Sequence, residues 1–211
     1  MKYADVLEDL FARYPALTVC RNGVYAAAEA LCASFRAGGK LLVCGNGGSA
    51  ADAGHITGEL MKSFLLPRPA DEATVSALAA YGDAGRELAG KLEGGLPAIA
   101  LTVHTELMTA VANDTAAETV FAQQVMALGR TGDVLLALST SGNSRNCVAA
   151  AMTAKARGMT VIALTGAGGG KLGGIADVTI AVPDSETFRV QEYHLPVYHA
   201  LCAAAEKEFF A

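Results

Sequence analysis

Two widely separated groups of side chains have the types and spacing for acid–base or metal chemistry: His55 and Glu59 in one stretch, and Gln191, Glu192, His194 and His199 in another. A spacing of four puts His55 and Glu59 on one face of a helix. A protein environment can tune a carboxylate and an imidazole toward neutral pH, so Glu59 and His199 suit proton transfer as an acid and base pair. His55, Glu59, Gln191 and His199 are also nitrogen and oxygen donors of the kind that bind Zn²⁺. Taken singly, His194 and His104 read as surface or hydrogen-bonded core residues.

Two further segments are suited to an anion. Gly45-Asn46-Gly47-Gly48-Ser49 follows an apolar run and opens a helical stretch. There, glycine lets the backbone approach a ligand and the first-turn N–H groups favour negative charge. Ser139-Thr140-Ser141-Gly142-Asn143-Ser144 has the same placement and carries four hydroxyls, more than helix capping requires. It reads as a neutral cradle for a phosphomonoester, selective through hydrogen bonds and a helix end because it holds no Lys or Arg. Neither segment has the GxGxxG pattern or a P-loop lysine, so no nucleotide cofactor is expected.

The elements that must position these groups alternate. Apolar runs at 41–44, 98–101, 134–138, 160–164 and 178–182 are continuous, as in strands covered on both faces, and 50–64, 106–128 and 144–157 are long enough for crossover helices. The fold class is therefore α/β, a three-layer α/β/α sandwich on a five-stranded parallel sheet. Residues 1–36 read as an N-terminal helical pair broken at Pro15, and 186–210 as a C-terminal helix interrupted by Pro196. Residues 67–95 form an insertion or lid-like segment with a helix over 72–92. One domain spans 1–211, since a chain of this length buries roughly 70% of its unfolded surface without staples.

Composition narrows the partners. A net charge of -5 with scattered Lys and Arg argues against nucleic acid and leaves small metabolites as the better class. No apolar run approaches the roughly 18 residues of a membrane span, and no export signal is visible at the N-terminus. Five cysteines, odd in number and without a CxxC pair, read as reduced thiols, so the expected location is cytoplasmic.

The blocks CGNGGSAADAGHITGEL, VFAQQVMALGRTGDVLLALSTSGNS, GMTVIALTGAGGGKLGGIADVTIAVP and RVQEYHLPVYHALC resemble the sugar isomerase (SIS) domain family, and within it the phosphoheptose isomerases. The resemblance covers nearly the whole chain apart from 67–95. It implies isomerisation of sedoheptulose 7-phosphate to D-glycero-D-manno-heptose 7-phosphate through an enediol, in a homotetramer with active sites at subunit interfaces. By the same resemblance Glu59 and His199 are the catalytic pair. Asn46, Gly47, Ser49, Ser139, Thr140, Ser141, Ser144 and Gln191 bind substrate and its phosphate, and Asn113 and Asp114 lie near the site. His55, Glu59, Gln191 and His199 match positions that hold one Zn²⁺ per site in some members.

The chain departs from that pattern in three places. A basic residue is expected four positions after Glu59, where Ser63 stands with Lys62 one step earlier; Val103-His104-Thr105 replaces an expected Asp; and 67–95 is longer than the family leads one to expect. A sugar-phosphate-binding regulator or assembly factor without catalysis is the rival reading from another class. An isomerase of another ketose or amino-sugar phosphate shares the fold and mechanism.

Overall fold

The computed structural model describes residues 2–211. Five strands, β1 (Leu41–Cys44), β2 (Ala98–Ala100), β3 (Val134–Ser139), β4 (Thr160–Thr165) and β5 (Val178–Ala181), form one parallel sheet in the order β2-β1-β3-β4-β5. Alternate strand residues feed opposite faces, as the two-residue period requires. Leu41, Val43, Leu136, Leu138, Ile162 and Leu164 pack with helices α1 (Ala4–Arg13), α2 (Arg21–Arg36), α3 (Gly48–Met61) and α10 (Thr187–Phe210). Leu42, Cys44, Leu135, Ala137, Val161 and Ala163 pack on the other face with α6 (Thr105–Asp114), α7 (Val120–Leu128), α8 (Arg145–Ala156) and α9 (Gly170–Ile175). The three layers and the parallel sheet expected from the sequence are what the chain forms. All five cysteines are buried and free. No helix among the described residues is long and apolar enough to cross a membrane.

Several elements differ from the sequence expectation. The stretch 106–128 is two helices, because Thr115 and an extended Ala116 lead into a 3-10 turn at Ala117–Thr119; Asn113-Asp114-Thr115 is a run whose side chains compete with helical hydrogen bonding. The stretch 72–92 is a helical hairpin, α4 (Glu72–Ala79) and α5 (Gly82–Ala89), reversed at Gly82, whose φ of 72° suits glycine alone among common residues. Its feet meet in an antiparallel bridge between Pro69 and Glu93. Helix α9 arises in a glycine-rich stretch through burial of Leu172. Helix α10 runs on through Pro196. The ring leaves only the Glu192 carbonyl without its donor, and Glu192 is exposed, where water serves instead.

Candidate active site

In a parallel sheet of this order the crossovers reverse direction between β1 and β3, and ligands bind at the carboxyl ends of those strands. Both anion segments stand there. A pocket of about 270 Å³ is lined by Asn46, Gly47, Gly48, Ser49, Leu138, Ser139, Thr140, Ser144, Thr187 and Gln191. Ser139 Oγ and Ser144 Oγ lie 2.9 Å apart, so both hydroxyls face one point above the start of α8. The Asn46 and Asn146 amides exchange hydrogen bonds of 2.9 and 2.8 Å, tying the first loop to the first turn of α8.

Ser141 is exposed and its hydroxyl accepts from the Asn143 N–H at 3.2 Å, shaping the turn instead of lining the pocket. Asn113 and Asp114 are exposed at the end of α6, bonded to each other at 2.7 Å, and do not line the pocket. Thr187 lines the pocket and Asn146 ties its two loops together without having been singled out in the sequence.

Gly48 has no room for a side chain. A Cβ there would stand 2.6 Å from Gln191 Nε2. Gly48→Ala is expected to leave the fold intact, since only the end of a flexible side chain must move. It should raise KM for a phosphorylated sugar about tenfold or more through the displaced amide, as steady-state kinetics would read.

Helices α3 and α10 lie side by side and run in the same direction. Gln191 faces Gly48, Tyr198 and His199 face Asp52 and His55, and Glu206 faces Phe64 and Leu65 just past the end of α3. The acid–base group sits midway. His55 Nε2 is 3.2 Å from Glu59 Oε1 and 3.5 Å from His199 Nε2. The Tyr198 hydroxyl donates to Asp52 Oδ1 at 3.2 Å and is 3.0 Å from His55 Nδ1, which must therefore be the donor of that pair. This chain turns His55 Nε2 toward Glu59 and His199. A carboxylate and two ring nitrogens so placed can share a proton or a cation. Asp52 and Tyr198 were not singled out in the sequence, although Asp52 shares the α3 face of His55 three residues earlier.

Electrostatics follow the burial. Loss of solvation and the adjacent His55 ring hold the His199 pKa below the ordinary imidazole value, so the ring is neutral at pH 7. Burial raises the Asp52 carboxyl, partly offset by the Tyr198 hydrogen bond. Glu59 Oε2 is buried without a hydrogen bond, with Lys62 Nζ at 3.6 Å as its ion-pair partner. Ser63 is spent elsewhere: its N–H and hydroxyl donate to Glu93 at 3.0 and 2.6 Å, pinning the far foot of the hairpin beside α3. His104 Nδ1 pairs with Gln124 Oε1 at 2.7 Å and is structural.

The spacing of these donors suits zinc. Ligands at about 2.0–2.1 Å around a tetrahedral ion stand about 3.4 Å apart, close to both separations from His55 Nε2. The Tyr198–Asp52 chain orients His55 as outer-shell partners of metal-bound histidines do. Among the described residues no three His, Cys, Asp or Glu side chains close around one point as a finished metal site, and Gln191 lies at the phosphate end against Gly48. The donor chemistry therefore fits, with the last ligands still to be gathered.

His194 is fully buried in α10 between these groups, and neither ring nitrogen has a hydrogen-bond partner. Burial pushes its pKa down to about 4, with the nearby Thr165 backbone offsetting part of that. A depressed folded-state pKa means that the unfolded chain binds the proton first. The stability this neutral ring contributes is whole above pH 6.5 and is lost as pH falls toward about 4. Between pH 7.5 and 5 the loss is about 2 kcal/mol. Urea unfolding at the two pH values should show His194→Met lacking that part of the pH dependence.

The family model described as "SIS domain" matches residues 3–94 and 77–166. The chain belongs to the SIS domain family. Within that family this SIS-domain chain is 41% identical over 204 residues to the phosphoheptose isomerase of Rhodospirillum rubrum, covering 97% of this chain and 94% of that protein. It is 42% identical over 187 residues to the phosphoheptose isomerase of a Roseiflexus species, covering 89% and 82%. Among solved structures, the phosphoheptose isomerase of Neisseria gonorrhoeae is 38% identical with a TM-score of 0.74, over 94% of this chain and 93% of that one. The enzyme from Francisella tularensis is 34% identical with a TM-score of 0.75, over 92% and 90%.

Proposed function

We propose that the protein is an aldose–ketose isomerase converting sedoheptulose 7-phosphate to D-glycero-D-manno-heptose 7-phosphate through an enediol. The observation that carries this reading is the meeting of Glu59 and His199 around His55, on the two helices that also frame the phosphate pocket. The name shared by the similar proteins supports it. Length does too. Ser49 and Glu59 are about 15 Å apart along α3 at 1.5 Å per residue. An extended seven-carbon sugar reaches about 10 Å from C1 to phosphorus at about 1.2 Å per bond. Glu59 closes the remainder by leaning back toward the helix N-terminus.

With the phosphate held by Ser139, Thr140, Ser144 and Gln191, the other end of the sugar lies beside Glu59. The Glu59 carboxylate takes a proton from C1 of the ketose and returns it to C2. His199, neutral at pH 7, passes protons between the two oxygens as the carbonyl moves from C2 to C1. Lys62 Nζ lies 3.6 Å from the carboxylate, and the Asp52–Tyr198–His55 chain holds the neighbouring ring in one tautomer. A zinc ion held by His55, Glu59 and His199 would supply Lewis-acid polarisation of the carbonyl and its enediolate, whereas Gln191 stays at the phosphate end.

Incubation with sedoheptulose 7-phosphate in deuterated water should wash deuterium into the carbon beside the carbonyl. Binding of ketose phosphates with no exchange would overturn the isomerase reading in favour of a sensor. For the metal, His55→Ala is expected to lower the zinc content found by elemental analysis; carefully purified wild type without metal would remove the zinc assignment.

We further assign a cytoplasmic homotetramer with sites at subunit interfaces. A groove of about 450 Å³ beside His199, lined by Val6, Tyr14, Phe64, Leu65 and Leu195 among others, supports closure by a neighbouring copy. Light scattering of the purified protein tests the assembly.

A further inference from the structure

We propose that Arg68 is a positioning residue: with Glu206 it clamps the last turn of α3 to α10 and so sets where the Glu59 carboxylate stands against His55 and His199. The proposal rests on the isomerase reading for its kinetic consequence. Arg68 and Glu206 are each 1% exposed. Arg68 Nε donates to Glu206 Oε1 at 2.8 Å, one terminal nitrogen donates to the Leu60 carbonyl at 2.7 Å, and the other to the carbonyl of Glu59 itself at 3.0 Å. Those carbonyls belong to the end of α3, where no intrahelical donor reaches them and the helix dipole is negative. Glu206 accepts in turn from the N–H groups of Phe64 and Leu65 at 2.8 and 2.7 Å, and the Phe210 ring lies 4.8 Å from the guanidinium.

A buried ion pair is often no more stabilising than apolar packing of the same volume, so stability alone is a weak reason for this one. What the planar guanidinium adds is fixed geometry, because its three nitrogens reach three separated acceptors in one rigid plane, whereas an ammonium offers rotating donors from a single nitrogen. The helices are joined at three levels, and of these the Arg68 level is the one that grips the backbone of the catalytic glutamate. Arg68 is also the near foot of the hairpin: its carbonyl accepts from Gly94 N at 2.7 Å, so the root of the inserted segment bears on the same turn.

Two variants test the clamp: Arg68→Lys, and the double replacement of Arg68 and Glu206 by Met, which leaves no unpaired buried charge and so guards the fold. For each, kcat per folded molecule and KM for sedoheptulose 7-phosphate are measured, with ring-proton NMR shifts of His55 and His199 at one fixed pH. We expect kcat to fall about 10- to 100-fold with KM within about threefold, since misplacement by an ångström costs that much, and the ring shifts to move. A folded double variant with wild-type kcat, or KM rising while kcat holds, would overturn the clamp, as would unmoved ring shifts in both variants. Wild type that exchanges no deuterium would sink the isomerase reading by itself, and the ring shifts would then still decide the role of Arg68.

Discussion

Glu59→Gln is expected to lower kcat for sedoheptulose 7-phosphate about 10²- to 10⁴-fold, the range that a general base contributes, and to abolish deuterium wash-in. The amide keeps the shape of the side chain and cannot accept the C1 proton. KM should change little, because the phosphate is gripped at the other end of α3 by groups that the substitution does not touch. The fold should not weaken. Glu59 Oε2 is buried with no hydrogen bond and only the solvent-exposed Lys62 beside it at 3.6 Å, a costly state for a carboxylate that an uncharged amide relieves. Calorimetry should therefore show a Tm equal to or above that of wild type while catalysis is lost. A variant that still exchanges deuterium within tenfold of wild type would remove Glu59 as the base.

The second large effect lies in the phosphate cradle. Gly142 has φ of 66°, and a Cβ there would stand 2.1 Å from the Gly169 carbonyl oxygen and 2.9 Å from Gly170 Cα. Gly142 N donates to the Ser139 carbonyl at 2.9 Å, closing the turn, and the Gly142 carbonyl accepts from Leu172 N of α9 at 3.0 Å, sewing the turn to the segment after β4. Left-handed backbone costs a non-glycine residue about 1–2 kcal/mol, and pushing two packed backbones apart adds a comparable overpacking cost. Gly142→Ala should thus lose about 3 kcal/mol or more and lower Tm by about 6–12 °C. Its affinity for sugar phosphate should drop with the displaced Ser139 and Ser144 hydroxyls. Gly168→Ala, at a position with nothing within 4 Å of its Cβ, is the control and should leave both unchanged.

The residues differ in how far they could be read in one dimension. Continuous apolar runs announced every strand, because a strand buried on both faces has no polar side to show. The two hydroxyl- and glycine-bearing turns were legible for a similar reason: a turn that precedes a helix exposes its N–H groups wherever the chain places it. His55 and Glu59 were legible as a pair through their spacing of four. The break at 115–119 and the hairpin within 72–92 were not, because a helical run of apolar and small residues reads the same whether it continues or doubles back.

What the sequence by itself determined is therefore local: which segments are strands and helices, which turns can hold an anion, and which side chains have the chemistry of a base, an acid or a ligand. Tertiary structure alone decided the meetings. Glu59 and His199 come together, Asp52 and Tyr198 orient His55, and Arg68 closes on Glu206 only because α3 and α10 bury their apolar faces against the same side of the sheet and run alongside each other. That packing is set by burial across distant parts of the chain, and hydrophobic periodicity, a property of neighbours, carries no record of which helix will lie beside which.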